Sequence, residues 1–112
     1  ALSGNHEIFR RFQQFIRSTN PVSNLKVNEV AEQLGQSPQN LNAICRKIVD
    51  KSASELISEQ VVLEAKRYLL HTEKNVGEIA FMLDFSDPSH FVKYFKKSTG
   101  ETPQSFRSRY FQ

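Results

Sequence analysis

The sequence predicts an all-α chain of seven helices, arranged as two helix-turn-helix units joined by a long central helix. Three observations predict it. Apolar residues recur at helical spacing along nearly the whole chain, and no stretch alternates as a strand would. Ser37-Pro38 and Asp87-Pro88 each set a good N-cap before a proline, whose fixed φ and missing N–H suit the first helical position. In front of each pair lies a short amphipathic segment with a small residue at its centre: Val27, Val30, Ala31 and Leu34 recur at one constant offset as Val76, Ile79, Ala80 and Leu83. Relating Asn40-Leu41 to His90-Phe91 takes one residue more, so the second turn is one residue longer. An extra turn residue leaves both inward faces intact, whereas a slip inside a helix would rotate a face by about 100°.

The elements follow in order. A first helix is expected from about Glu7 to Ser18, with Ile8, Phe12, Phe15 and Ile16 inward, and Asn20-Pro21 breaks it. The second covers Val27 to Leu34, and Gly35 ends it as a left-handed residue. The third runs from Pro38 to about Val49 with Leu41, Ile44, Cys45 and Ile48 inward, so the first helix-turn-helix spans about 27–49. The connecting helix, about 53–70, carries the stripe Leu56, Ile57, Val61, Ala65 and Leu69, and at 1.5 Å per residue is a strut of roughly 27 Å. His71 to Lys74 is a polar joint. Asn75 and Glu78 form a capping box that starts the fifth helix, Val76 to about Leu83. The sixth runs from Pro88 to about Thr99 and stops at Gly100, so the second helix-turn-helix spans about 76–99. Thr102-Pro103 then starts a last short helix through about Tyr110.

Composition bounds the function. The chain has 112 residues, one domain or two small lobes sharing a helix, with a modest core. Net charge is +3 and pI about 9.2, which is compatible with nucleic acid without being diagnostic. Distribution says more: Lys93, Lys96, Lys97, Arg107 and Arg109 stand against Glu101 alone near the end, whereas Glu55, Glu59 and Glu64 fall in a stretch without a base. The glutamates read as solubilising charges on a solvated helix. No apolar run approaches a membrane span. His6, His71 and His90 are scattered and Cys45 is a single, inward cysteine, so neither a metal set nor a catalytic constellation is expected, and no glycine loop suggests a nucleotide cofactor. Of the nine phenylalanines, Phe12, Phe15, Phe91 and Phe95 sit at core spacing rather than as stacking platforms; Phe81 and Phe85 are less defined, and Phe111 suits docking on another domain.

In a helix-turn-helix the second helix enters the DNA major groove, and side chains near its start reach base edges. In the first unit the outward set is Gln39, Asn42, Ala43 and Arg46: the amides suit adenine, the guanidinium suits guanine, and Ala43 can touch a thymine methyl. In the second it is Ser89, His90, Val92, Lys93 and Lys96, with Lys96 and Lys97 placed for backbone contact. A stiff connecting helix could hold two such helices about one B-DNA turn, roughly 34 Å, apart, in successive major grooves of a bipartite site; bending of the DNA would follow from that constraint.

Ile79-Ala80, Asp84-Phe85-Ser86-Asp87-Pro88-Ser89-His90-Phe91, Phe95-Lys96-Lys97, Gly100, Thr102-Pro103 and Phe106-Arg107 closely resemble the signature of AraC/XylS-type transcription regulators, and the resemblance extends from about Glu7 to Tyr110. It implies a bacterial, cytoplasmic, nucleoid-associated DNA-binding domain with two homeodomain-like units. The partners it implies are double-stranded DNA and, for an activator, RNA polymerase, with no small-molecule ligand in this domain. Carried over by position, base contacts fall on Gln39, Asn42, Ala43, Arg46, Ser89, His90 and Lys93, and phosphate contacts on Ser37, Asn40, Lys47, Lys96, Lys97 and Arg107. Three residues depart from the pattern. Asp84 replaces a usual glycine and is expected to strain its turn, Asp50 stands where glycine is common, and Pro88 removes a hydrogen-bonding reader.

The chain begins at Ala1 without a methionine, and Phe111-Gln112 reads as a natural C-terminus, so a sensing or signalling domain is expected upstream. The rival reading is a helix-turn-helix protein-interaction module that does not bind DNA, motivated by the small net charge and by Ala43 and Pro88. The first recognition helix is expected to supply more specificity and the second more backbone anchoring.

Overall fold

Helix starts in the computed structural model, which describes residues 4–110, follow the caps that the sequence supplies. The elements are α1 (Gly4–Ser18), a 3-10 turn (Val22–Asn24), α2 (Val27–Gln33), α3 (Pro38–Val49), α4 (Ala53–His71), α5 (Val76–Met82), α6 (Pro88–Thr99) and α7 (Pro103–Tyr110). No strand occurs among the described residues. Ser37 Oγ accepts from the Asn40 amide at 3.1 Å, and Asp87 Oδ1 from the His90 amide at 2.8 Å, so α3 and α6 begin at their prolines. Asn75 and Glu78 exchange side chain-to-backbone bonds of 2.8 and 3.0 Å at the start of α5. Thr102 Oγ1 accepts from the Ser105 amide at 3.1 Å and starts α7. Each such bond satisfies an N–H that the helix itself leaves unpaired.

The left-handed positions are shared between units. Gly35 (φ 68°) and Asp84 (φ 63°) end the support helices, and Asp50 (φ 59°) and Gly100 (φ 87°) end the recognition helices. Both aspartates thus hold the conformation that glycine reaches at less cost.

The chain divides into two compact units, one ending at Ile57 and the other beginning at Ser58, with the boundary inside α4. In the first, α1 and α2 pack on α3. Phe12, Val30, Ala31, Leu41 and Cys45 are fully buried there, and the small Ala31 lets α2 approach closely. Here α1 differs from expectation. It starts at Gly4, and its buried stripe is Phe9, Phe12 and Ile16, with Ile8 and Phe15 half-buried on the flanks. Glu7 in its first turn binds Arg10 at 2.6 Å, which holds the Glu7 carboxyl below its ordinary range and favours the positive helix end.

In the second unit, Val62, Ala65 and Leu69 of α4, Ile79, Ala80 and Leu83 of α5, Phe91 and Phe95 of α6, and Phe106 of α7 form one apolar cluster. Its rings meet edge-on, Phe91 to Phe95 at 6.0 Å and Phe95 to Phe106 at 5.7 Å between centroids. Tyr94 also hydrogen-bonds Ser58 at 2.9 Å, linking α6 to α4. Phe85 is half-buried against Phe91 and Tyr94, each at 5.3 Å, whereas Phe81 is 82% exposed. Phe111, expected to dock elsewhere, lies outside the described residues.

Candidate nucleic-acid interface

The outward faces of α3 and α6 carry six of the seven expected reading residues. Gln39, Ala43 and Arg46 of α3 are exposed, as are Ser89, His90 and Lys93 of α6. Their helices are held from behind: α3 by Leu41, Ile44 and Cys45, α6 by Phe91 and Phe95. The spacing of three or four that buries those residues turns the intervening ones to solvent. Burial pushes the Cys45 thiol up to about 11, so it stays protonated and packs as a small apolar group.

Arg46 lies 3.9 Å from Glu55, with both side chains more than half exposed; such a pair is weak and leaves the guanidinium able to turn to a base. His90 has two neighbours that orient its ring. Its Nδ1 is 3.2 Å from the Ser86 hydroxyl, and its ring meets Phe85 at 5.1 Å and 86°. When Ser86 donates to Nδ1, Nε2 carries the proton and is a donor toward a base or phosphate. The Asn40 backbone N–H donates to Ser37 Oγ in the α3 cap, and the Asn40 side-chain Nδ2 donates to Gln36 Oε1. Lys47, Lys96 and Lys97 are exposed in the last turns of their helices.

Two expected contacts are placed otherwise. Asn42 is half-buried, and its Oδ1 accepts from the Ala53 amide at 2.9 Å, so it caps the start of α4 from α3. An amide that reads adenine on two atoms needs that oxygen as its acceptor. Arg107 donates from Nε to Leu69 O at 3.0 Å, from Nη1 to Lys74 O at 2.5 Å, and from Nη2 to Thr72 O at 3.1 Å and Tyr68 O at 3.3 Å. Its guanidinium is thus turned onto backbone carbonyls. Arg109 is likewise engaged, 2.7 Å from Glu101 and over the rings of Phe106 and Tyr110. The exposed basic side chains of the two recognition helices are therefore Arg46, Lys47, Lys93, Lys96 and Lys97.

Sequence reading passed over the role of Glu55. Ser52 Oγ accepts from the Glu55 amide at 3.0 Å, and the Glu55 carboxylate accepts from the Ser52 hydroxyl at 3.2 Å and its amide at 3.4 Å. Ser52-x-x-Glu55 is the signature of a capping box, and it stood in the sequence ahead of the apolar stripe. No group of metal-ligating side chains occurs among the described residues. No described helix is long and apolar enough to cross a membrane.

A family model described as a helix-turn-helix domain matches residues 30–109. The chain belongs to the AraC/XylS family. Among its relatives is the bifunctional transcriptional activator/DNA repair enzyme AdaA of Bacillus subtilis, 33% identical over 79% of this chain and 42% of AdaA. The Msm operon regulatory protein of Streptococcus mutans is 38% identical over 76% of this chain and 31% of that protein. The chain thus spans less than half the length of either relative. Among solved structures, the C-terminal domain of AraT, a response regulator from Geobacillus stearothermophilus, matches with a TM-score of 0.84 and 30% identity, over 96% of this chain and 88% of that one. The residues that carry the AraC/XylS resemblance lie where the fold uses them: Asp87 at the α6 cap, Phe91 and Phe95 in the core, and Arg107 on carbonyls at the end of α4.

Proposed function

We propose that this domain regulates transcription by binding a bipartite promoter site, with α3 and α6 in successive major grooves of double-stranded DNA. The observation that carries this reading is the repeated unit itself. Twice, a capped helix presents exposed polar and basic side chains along one face, while its other face is locked on a support helix. Gln39, Ala43 and Arg46 read bases in the first unit, and Ser89, His90 and Lys93 in the second. Ser37, Asn40, Lys47, Lys96 and Lys97 contact phosphates. Asn42 and Arg107 leave these sets, because Asn42 Oδ1 and the Arg107 guanidinium already serve the two ends of α4.

The remaining exposed cations set the electrostatics. If Arg46, Lys47, Lys93, Lys96 and Lys97 each neutralise one phosphate, raising salt from 50 to 200 mM should weaken binding by roughly two to three orders of magnitude. Titration of a duplex selected from random DNA by this chain checks it. Failure to bind any selected duplex at low salt would sink the reading.

The finer parts of the proposal are a bacterial cytoplasmic setting, no catalytic step in this domain, a sensing or signalling domain elsewhere in the protein, and RNA polymerase as the partner in activation. The exposed Phe81, with Met82 beside it on α5, supports a protein partner. Phe81→Ser should leave DNA affinity unchanged and lower transcription by purified RNA polymerase from a template carrying the selected site. Unchanged transcription would remove Phe81 from that contact.

A further inference from the structure

We infer that Arg107 is a positioning residue for the second recognition helix: it clamps the joint between α4 and α5 and so sets the orientation in which α6 meets DNA. The inference rests on the DNA-binding reading above and assigns to Arg107 a role that phosphate contact would exclude.

The last four carbonyls of a helix have no partner within it. In α4 Leu69 O receives Arg107 Nε, and Tyr68 O, which also accepts from the Thr72 amide at 3.2 Å, receives Nη2. The same guanidinium reaches past the helix to Thr72 O and Lys74 O. All three nitrogens are used, and they span the end of α4 and the joint that follows it. The placement is electrostatically sound, since the carbonyl end of a helix carries partial negative charge. The fork geometry matters more, because one planar group holds four oxygens in fixed relation. The joint has bonds of its own. Thr72 Oγ1 donates to Tyr68 O at 2.6 Å and accepts from the Lys74 amide at 3.3 Å. Lys74 directly precedes Asn75, the cap of α5.

The path from this joint to the reading residues is short. Ile79, Ala80 and Leu83 of α5 share the core cluster with Phe91 and Phe95 of α6. Tyr94 ties the middle of α6 to Ser58 of α4. The first turns of α6, which carry Ser89, His90 and Lys93, depend on where α5 lies. Arg107 fixes that through the α4–α5 bend. Its own helix is anchored by Phe106 and Pro103, both buried, so the clamp is held at its base.

Arg107→Lys separates this role from a phosphate contact. Lysine keeps the charge and serves as a phosphate contact, but one ammonium cannot hold four carbonyls spread over seven residues of chain. The chain and its Arg107→Lys and Arg107→Ala variants are compared in two measurements. In the first, amide hydrogen exchange of the free proteins is read at residues 72–75. Faster exchange there in Arg107→Lys is expected, and unchanged exchange overturns the clamp. In the second, binding to the selected duplex is measured against duplexes altered in one half-site at a time. Arg107→Lys should lose affinity by roughly tenfold, the size of one charge-assisted hydrogen bond. Its discrimination should fall at the half-site read by α6 and persist at the one read by α3, and its salt slope should stay that of the parent. Parental affinity in Arg107→Lys, with a uniform loss and a slope lower by about one in Arg107→Ala, would make Arg107 a phosphate contact. If Arg107→Ala does not fold, Arg107→Lys alone decides between the two. Absence of DNA binding by the parent chain would defeat the functional reading, and the exchange measurement would still report on the clamp.

Discussion

In the first unit α3 turns Leu41, Ile44 and Cys45 inward beneath α1; in the second, α6 turns Phe91 and Phe95 toward Phe106 of α7. The two recognition helices nonetheless begin alike, and each unit has left-handed residues at the same two turns. Ser37 does for α3 what Asp87 does for α6, and the left-handed pair Gly35 and Asp50 becomes Asp84 and Gly100. What is common to the units is therefore backbone geometry and the positions of small residues, not core chemistry. The core differs because each unit closes its recognition helix with a different outer helix. α1 brings its own aromatics, Phe9 and Phe12, so α3 can be aliphatic. α7 is short and brings Phe106, so α6 supplies the large rings itself. The outward faces differ as well: α3 presents Gln39, Ala43 and Arg46, whereas α6 adds Lys93 to the lysines of its last turn.

The largest expected effect tests the aromatic core. Phe95→Ala should cost about 3–5 kcal/mol in denaturant unfolding, with Leu41→Ala at about 2–5 kcal/mol, because both side chains are fully buried and leave cavities. If Phe95→Ala cost under about 1 kcal/mol, the α6–α7 core would not be what holds the second unit. On DNA the units should separate in kind. Arg46→Ala should cost about 1–3 kcal/mol and relax preference at one base pair, while Lys97→Ala should weaken all sequences alike and lower the salt slope by about one. A uniform loss for Arg46→Ala would remove the difference between the faces. The caps come next: Ser37→Ala and Asp87→Ala should each lose about 1 kcal/mol of stability, and a marked inequality would show that one unit relies more on its cap. The smallest effect has the opposite sign. Asp50→Gly should stabilise the chain by about 0.5–1 kcal/mol by relieving the left-handed backbone, whereas Gly100→Ala should destabilise it. A loss on Asp50→Gly would mean that the Asp50 side chain contributes more than its backbone costs.

Most element boundaries were legible because their signals are contiguous. Ser37-Pro38, Asp87-Pro88, Asn75 with Glu78, and Thr102-Pro103 each act within one helical turn, and α3 and α6 have the bounds those signals predict. α1 was less legible: the stripe Ile8, Phe12, Phe15 and Ile16 fits a helix as well as Phe9, Phe12 and Ile16, and only packing on α3 selects between them. Phe81 and Phe85 sit at helix-like spacing from each other, yet one is exposed and the other half-buried among rings.

By itself the sequence determined the seven helices, the caps of α3, α5, α6 and α7, the duplicated unit, the left-handed Gly35, and the outward placement of Gln39, Ala43, Arg46, Ser89, His90 and Lys93. Helix periodicity and capping are local physics, complete within a few residues. Only the tertiary structure decided which polar side chains are already engaged. Asn42 finds its partner 11 residues away, and Arg107 finds carbonyls 33 to 39 residues away. A guanidinium on an exposed-looking helix carries no mark in sequence of whether it faces a phosphate or a helix end. Folding places the carbonyl end of α4 and the joint after it beside Arg107, and four backbone oxygens there accept from its guanidinium.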